Sequence, residues 1–104
     1  MFVRENEAHS RQIPGVKMFN YLTAESGTSI SVARGELNGQ HPESVSEQTD
    51  RCYMFIDGTA EVCVGDEKYK VSKSDVVYVP KGTRHSLSGK ATYFIVNNPP
   101  FKKS

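Results

Sequence analysis

The sequence has no long apolar run, no excess of charge of either sign and only two cysteines among its 104 residues. Apolar stretches of a few residues are too short for a membrane-spanning helix, so no membrane partner is expected. Thirteen Lys and Arg residues against twelve Asp and Glu residues leave a net charge of +1 without a basic cluster, which argues against nucleic acid as a partner. The amino terminus lacks the segments of a signal peptide, and we therefore expect a cytoplasmic protein.

Two cysteines are too few for a disulfide framework, and the spacing of Cys52 and Cys63 does not match a metal-binding pair. If Asp57-Gly58 is a two-residue hairpin turn, Cys52 lies directly opposite Cys63 on neighbouring strands. The Cα separation of such a pair, about 5.5 Å, permits contact without favouring a bridge. In a cytoplasmic protein we expect two reduced thiols, with a disulfide as the alternative.

In place of helical periodicity, the chain has short runs rich in Val, Ile, Tyr, Phe and Thr. Gly, Asn, Asp and Pro interrupt these runs about every ten residues, which is typical of antiparallel sandwiches and barrels. The length indicates a single domain over residues 1–104, with residues 1–14 as an amino-terminal arm. The predicted strands are Lys17–Thr23, Thr28–Glu36, Arg51–Ile56, Ala60–Val64, Glu67–Val71, Val76–Val79, Arg84–Ser88 and Thr92–Asn97.

Residues 39–50 have a different composition. The segment is polar and carries His41, Glu43, Glu47 and Asp50, which predicts a loop. Loops on a rigid sheet often supply ligand groups, although a solvated connection is the simpler interpretation and composition alone favours it.

The hairpin register also predicts which side chains face inward. Arg51 then begins its strand pointing into the sandwich or its mouth, where a guanidinium needs a carboxylate, water or an anionic ligand as a partner. Within the chain, Glu47 and Asp50 are the candidate carboxylate partners of Arg51. The other face is also fairly apolar, which suits packing against a second sheet or subunit. The inward set consists of Arg51, Tyr53, Phe55, Ala60, Val62 and Val64.

The most informative stretch is the run from Ser74 to His85. A strand leads into the corner Pro80-Lys81-Gly82, where proline presets one backbone angle and glycine accepts an angle that other residues avoid. The chain therefore turns sharply and places His85 at the start of the next strand. Its imidazole suits acid-base work, while a histidine satisfied by neighbouring backbone is the alternative.

This run resembles the second motif of the cupin family, which is a Gly, five residues, Pro-x-Gly, two residues, His, three residues and Asn. Three of the five positions match, namely Pro80, Gly82 and His85. The resemblance extends over about residues 30 to 101 and implies an all-β fold, a double-stranded β-helix or jelly-roll barrel, that pairs as a homodimer through a sheet. The five positions are Ser74, Pro80, Gly82, His85 and Gly89.

The first motif departs from the family pattern. Metal-binding cupins have His-x-His, three or four residues, Glu, six residues and Gly, and these ligands hold a metal with the second-motif histidine. Counting from Gly58 places Arg51 at the glutamate position, and Glu47 and Val45 at the two histidines. Only His85 is kept, and the charge of Arg51 would repel a cation. We therefore expect no metal cofactor.

One alternative keeps a metal. If four residues are inserted before the strand, His41-x-Glu43 followed by Glu47 resembles the first motif with one histidine replaced. His41, Glu43, Glu47 and His85 would then offer nitrogen and oxygen ligands to a divalent transition metal such as Zn, Mn or Fe. The inward position of Arg51 favours the metal-free interpretation.

The resemblance implies a small-molecule site in the barrel. Cupins include isomerases, epimerases, lyases and non-catalytic sensors, so the sequence leaves open whether the protein is an enzyme. We predict that it binds a small anionic or sugar-like metabolite, with Arg51 as a clamp for a carboxylate or phosphate and His85 as a catalytic or polar partner. The alternatives are a metal-dependent dioxygenase or isomerase and an interaction module with a vestigial pocket. The predicted ligand-binding residues are Arg51, Tyr53, Glu47 and His85.

Overall fold

The computed structural model describes residues 1–100, which form an antiparallel β-structure of seven strands. Within these residues the helical segments are two short 3-10 turns, Glu5–Glu7 and Ala24–Ser26, and no helix has the length and apolar composition needed to span a bilayer. The predicted all-β fold is confirmed. The strands are β1 (His9–Ile13), β2 (Val16–Leu22), β3 (Ser31–Val45), β4 (Asp50–Val64), β5 (Glu67–Ser72), β6 (Val76–Val79) and β7 (Arg84–Asn98).

The strands are hydrogen-bonded in the order β1-β2-β3-β7-β4-β5, and β6 pairs with the first half of β4. Strand β7 pairs with β3 on one side and with β4 on the other along almost its whole length. Because β7 lies between the two other long strands, its inward side chains face both halves of the jelly roll. His85 lies near the beginning of β7 and Asn97 near its end.

The predicted hairpin at Asp57-Gly58 is wrong. Strand β4 continues through these residues, and its pairing with β7 shifts between Phe55 and Asp57 because β4 contains one extra residue there. Gly58 has a φ of 79°, and a Cβ at this position would lie 2.3 Å from the carbonyl oxygen of Lys90. An Asp-Gly pair suits a β-bulge as well as a tight turn, and pairing with the distant strand β7 decides between them.

The predicted inward face is nevertheless correct for the core positions. The extra residue in a bulge shifts by one the order in which side chains point inward and outward. The predicted hairpin would have had the same effect on the residues that follow it. Tyr53 and Phe55 before the bulge are therefore buried together with Ala60 and Val62 after it. The prediction of which β4 side chains face inward was therefore correct, although the predicted turn at Asp57-Gly58 was wrong.

The prediction that Cys52 lies opposite Cys63 depended on that turn and is also wrong. Cys52 lies opposite Tyr78 and Val96, and Cys63 lies opposite Lys68 and Ser86. Both cysteines are free thiols in the structure.

Two long strands replace shorter predicted elements. Strand β3 extends to Val45 and β4 begins at Asp50, so that only residues 46–49 of the predicted loop connect strands. The polar composition of this segment reflects exposed strand ends. The two predicted strands on either side of Gly89 form one strand, β7, and part of the amino-terminal arm pairs with β2 as β1.

Candidate functional site

Arg51 is held inside the barrel by Asn97. These residues lie opposite each other on β4 and β7, and Nε of Arg51 donates a hydrogen bond of 2.8 Å to Oδ1 of Asn97. The amide nitrogen of Asn97 donates in turn to Oγ of Ser31 at 3.2 Å. Asn97 and Ser31 are buried. Because both ends of the amide are engaged, Asn97 holds the guanidinium plane in one orientation.

His85 contacts Arg51 from the other side. Its Nδ1 lies 3.1 Å from the carbonyl oxygen of Thr83, and its Nε2 lies 3.1 Å from Nη1 of Arg51. A carbonyl only accepts and a guanidinium only donates, so the proton is on Nδ1 and the lone pair is on Nε2. This arrangement requires a neutral imidazole.

The surroundings of His85 also favour the neutral form. The side chain is almost completely buried, with a relative exposure of 1%. Burial lowers the pKa of His85, the bond to the Thr83 carbonyl opposes this shift, and the charges of Arg51 and His41 lower the pKa further.

Arg51 lines a cavity of about 360 Å³, and His85 lies behind Arg51 outside the cavity lining. The wall includes apolar side chains such as Ile13, Met18 and Ile95. Its charged lining residues are Arg11 and Arg51, His41 also lines it, and no Asp or Glu from the described part of the chain does. The cavity is therefore positively charged. A more open depression of about 610 Å³ lies elsewhere on the surface. Its lining combines lysines with Glu36 and Asp57 and therefore has no excess of positive charge.

Two buried tyrosines form part of the cavity wall. The rings of Tyr53 and Tyr93 meet edge to face, with centroids 5.2 Å apart. Burial raises the pKa of both phenols, and the nearby charge of Arg51 opposes this only partly, so both hydroxyls stay protonated and can donate hydrogen bonds. Gly35 leaves room for Tyr93, because a Cβ there would lie 2.4 Å from the ring carbon Cζ.

The structure separates the predicted site residues into two groups. Arg51, Tyr53 and His85 come together, whereas Glu47 lies exposed in the loop of residues 46–49 and does not line the cavity. Asp50, the other candidate partner of Arg51, accepts a hydrogen bond from the backbone N–H of Lys81 at 3.0 Å. The loop position of Glu47 agrees with the predicted loop, and Glu47 does not lie with the other three predicted ligand-binding residues.

The residues do not fit a cupin metal. Within residues 1–100, no three His, Cys, Asp or Glu side chains are arranged to hold a metal ion. Glu43 is exposed and lies 3.9 Å from Arg84, and His41 contacts the backbone of Pro14. Nε2 of His85, the atom that would bind the metal, accepts a hydrogen bond from Arg51 instead. The alternative set of His41, Glu43, Glu47 and His85 is therefore not assembled.

Sequence reasoning missed Ser31, Tyr93 and Asn97 as site residues. Asn97 and Tyr93 lie in the closing strand, where the sequence shows only an apolar run followed by Asn-Asn-Pro-Pro. No local signal identifies them, because their roles depend on the pairing of β7 with β3 and β4. His41 was considered only as a metal ligand, and the structure places it in the cavity wall.

The family model described as a cupin domain matches residues 25–96 of this chain. The chain belongs to the cupin family. Its second motif and its fold agree with this assignment, while Arg51 occupies the position at which metal-binding cupins have a glutamate. No curated protein sequence matches this cupin.

Solved structures with the same fold have diverse activities. KdgF from Halomonas sp. is similar at 17% identity with a TM-score of 0.85, covering 98% of this chain and 96% of that one. Pac13 from Streptomyces, a nucleoside dehydratase, is 19% identical with a TM-score of 0.87 over 98% and 84% of the two chains. A predicted oxalate decarboxylase from Thermotoga maritima is 20% identical with a TM-score of 0.83 over 95% and 99%. At these identities the similarity establishes the fold alone.

Proposed function

We propose that this cupin binds a small anionic metabolite, with a carboxylate or phosphate group, in the barrel cavity at Arg51. The observation that supports the proposal is a guanidinium fixed by Asn97 and His85 in a cavity whose described lining contains cations and no carboxylate. An anion is the ligand that best complements such a charge.

The contacts of Arg51 with Asn97 and His85 favour binding because the protein itself holds the guanidinium in place. The hydrogen bonds from Nε to Asn97 and from Nη1 to His85 hold the orientation of the guanidinium, so little side-chain entropy remains to be lost on binding. His85 contributes a neutral lone pair, which leaves the positive charge of Arg51 in place. The phenols of Tyr53 and Tyr93 can donate to the same anion or to hydroxyl groups of a sugar-like part.

The cavity limits the size of the ligand. About 360 Å³ is near the lower end of the usual range for small-molecule sites. A sugar-like ligand part is consistent with the complex of the structurally similar Pac13 with uridine. The geometry offers nothing specific to a metal-dependent dioxygenase or isomerase, and we therefore propose metal-free binding.

The test is a screen of small carboxylates and phosphorylated sugars by thermal shift, followed by calorimetry on each compound that stabilises the protein. Arg51→Met should weaken binding by about 10- to 100-fold, because a hydrogen-bonded charge contact is lost. Arg84→Met is the matched control, since Arg84 pairs with Asp66 and Glu43 outside the cavity. Equal affinities of wild type and Arg51→Met for every compound found would refute the proposal.

A further inference from the structure

The two histidines near the cavity have one contact in common. In each, Nδ1 is held by a backbone carbonyl, that of Thr83 for His85 and that of Pro14 for His41, at 3.1 and 2.9 Å. A carbonyl only accepts, so when neutral both rings carry their proton on Nδ1 and have the lone pair on Nε2. The two histidines differ in the contacts of Nε2.

The lone pair of His85 is already used. Its Nε2 accepts from Arg51, its side chain is buried, and it does not line the cavity. His41 is half-buried, lines the cavity, and makes no other hydrogen bond with the described residues. His41 can therefore accept a proton from a bound molecule, whereas His85 can do so only by giving up its contact with Arg51.

Two local features of the backbone place His41 in the cavity wall. Strand β3 contains one extra residue between His41 and Ser44 relative to β7, and such bulges often redirect a side chain beside a site. The turn at Pro14-Gly15 packs closely on the same stretch, since a Cβ at Gly15 would lie 2.2 Å from the carbonyl oxygen of Gln40. Only a glycine permits this approach, which brings the Pro14 carbonyl to the imidazole.

We propose that His41 is the proton-transfer residue of the cavity. Because the same lining holds the donors Arg51, Tyr53 and Tyr93, which suit a carboxylate and a developing enolate oxygen, we propose further that the bound anion is a carboxylate whose neighbouring carbonyl activates a C–H bond, as in a 2-oxo acid. This inference rests on the proposed binding of an anion at Arg51. It assigns acid-base catalysis to His41 and a positioning role to His85.

The proposed step needs no metal, oxidant or second substrate. Nε2 of His41 takes the proton as the C–H bond breaks, and the electron pair of that bond forms a carbon–carbon double bond while the carbonyl π pair moves onto its oxygen. Arg51 and the phenols of Tyr53 and Tyr93 stabilise the resulting enolate oxygen. Return of the proton from Nε2 to carbon closes the cycle, and in D2O the returned atom is deuterium.

The experiment measures binding and exchange separately for three probes, pyruvate, 2-oxobutyrate and 2-oxoglutarate. Calorimetry gives the affinity, and proton NMR in D2O gives the rate at which the hydrogens next to the carbonyl are replaced by deuterium. His41→Gln keeps an N–H donor for the Pro14 carbonyl but cannot accept a proton. We expect affinity within about twofold of wild type and exchange reduced by about 100-fold or more. His41→Asn serves as a second variant, and circular dichroism verifies the fold of both.

Two further variants distinguish the catalytic role proposed for His41 from the positioning role proposed for His85. His9→Gln changes an exposed histidine outside the cavity and should leave binding and exchange unchanged. His85→Gln should weaken binding by loosening Arg51. Probes that bind without faster exchange, or a His41→Gln protein that exchanges as fast as wild type, would overturn the role of His41 and leave the proposed anion site intact. Failure of all three probes to bind would overturn the 2-oxo acid class, while the wider anion screen still decides the proposed function.

Discussion

Nη1 of Arg51 donates a hydrogen bond of 3.1 Å to Nε2 of His85, and this contact links the charge states of the two residues. Arg51 stays charged at any ordinary pH, so the bond exists only while His85 is neutral. The histidine that the second cupin motif places at the barrel therefore stabilises a cation.

The first prediction concerns pH. Burial is the largest cause that lowers the pKa of His85 in the folded state below its ordinary value of 6.5. Between the folded pKa and 6.5 the unfolded chain binds more protons, so the free energy of unfolding rises with pH, by at most about 1.4 kcal/mol per pH unit for one group. This contribution is complete above pH 6.5 and is lost on acidification.

Urea denaturation of wild type and His85→Gln between about pH 5 and 8 measures this effect. The two proteins differ only at position 85, so the difference between the two curves isolates the contribution of His85. We expect a flatter pH dependence in the variant. Parallel curves would show that His85 is not held neutral by the fold.

The second prediction concerns Asn97. Its amide accepts from Arg51 and donates to Ser31, and Asn97→Ala removes both bonds within the buried part of the barrel. We expect the free energy of unfolding to fall by about 1–3 kcal/mol, together with weaker anion binding. Asn6→Ala, at an exposed position of the first 3-10 turn, is the control and should change neither. An Asn97→Ala protein with wild-type stability would contradict the role assigned to this network.

The third prediction tests the bulge in β4. Gly58→Ala places a methyl group 2.3 Å from the carbonyl oxygen of Lys90 at a positive φ, so we expect a loss of more than about 1 kcal/mol in the free energy of unfolding. Gly27→Ala is matched in φ, at 76°, but has no atom within 4 Å of the added Cβ. It should cost less, because only the backbone conformation is strained. Equal losses from the two substitutions would mean that the close contact with β7 is unimportant.

The fourth prediction concerns metal. Protein purified without chelators should contain much less than one equivalent of Zn, Mn, Fe or Ni by elemental analysis, and adding these ions should not raise its melting temperature. The reason is that Arg51 both repels a cation and engages Nε2 of His85. Stoichiometric metal lost in His85→Gln would refute this expectation.

The fifth prediction concerns the expected homodimer. Val76, Tyr78 and Met54 are exposed on the outer side of the β4-β6 pair, and their apolar surface is the face on which we expect a second copy to pack. Sedimentation of wild type should give a dimer, and Val76→Lys together with Tyr78→Lys should shift it to a monomer. Sedimentation of wild type as a monomer at working concentration would end this expectation.

Much of the fold could be predicted because it depends on short-range geometry. Alternation along β4 predicted that Tyr53 and Phe55 are buried, and the Pro80-Lys81-Gly82 corner correctly preceded the strand that carries His85. The site was only partly predictable. Arg51 and His85 follow from their places in two strands, whereas Asn97 and Tyr93 have no local signature. The loop that carries Glu47 was predicted, but composition does not determine where a loop side chain points, and Glu47 does not line the cavity.

The sequence by itself determined the strand alternation, the sharp corner before His85 and the presence of an arginine where metal-binding cupins have a glutamate. These features depend on backbone sterics and on the chemistry of single residues. Only the tertiary structure decided that Asp57-Gly58 is a bulge, that Asn97 reaches Arg51, and that His41 rather than His85 lines the cavity. Each of these depends on the register between strands far apart in the chain, and that register is set when β3, β7 and β4 bury their shared face.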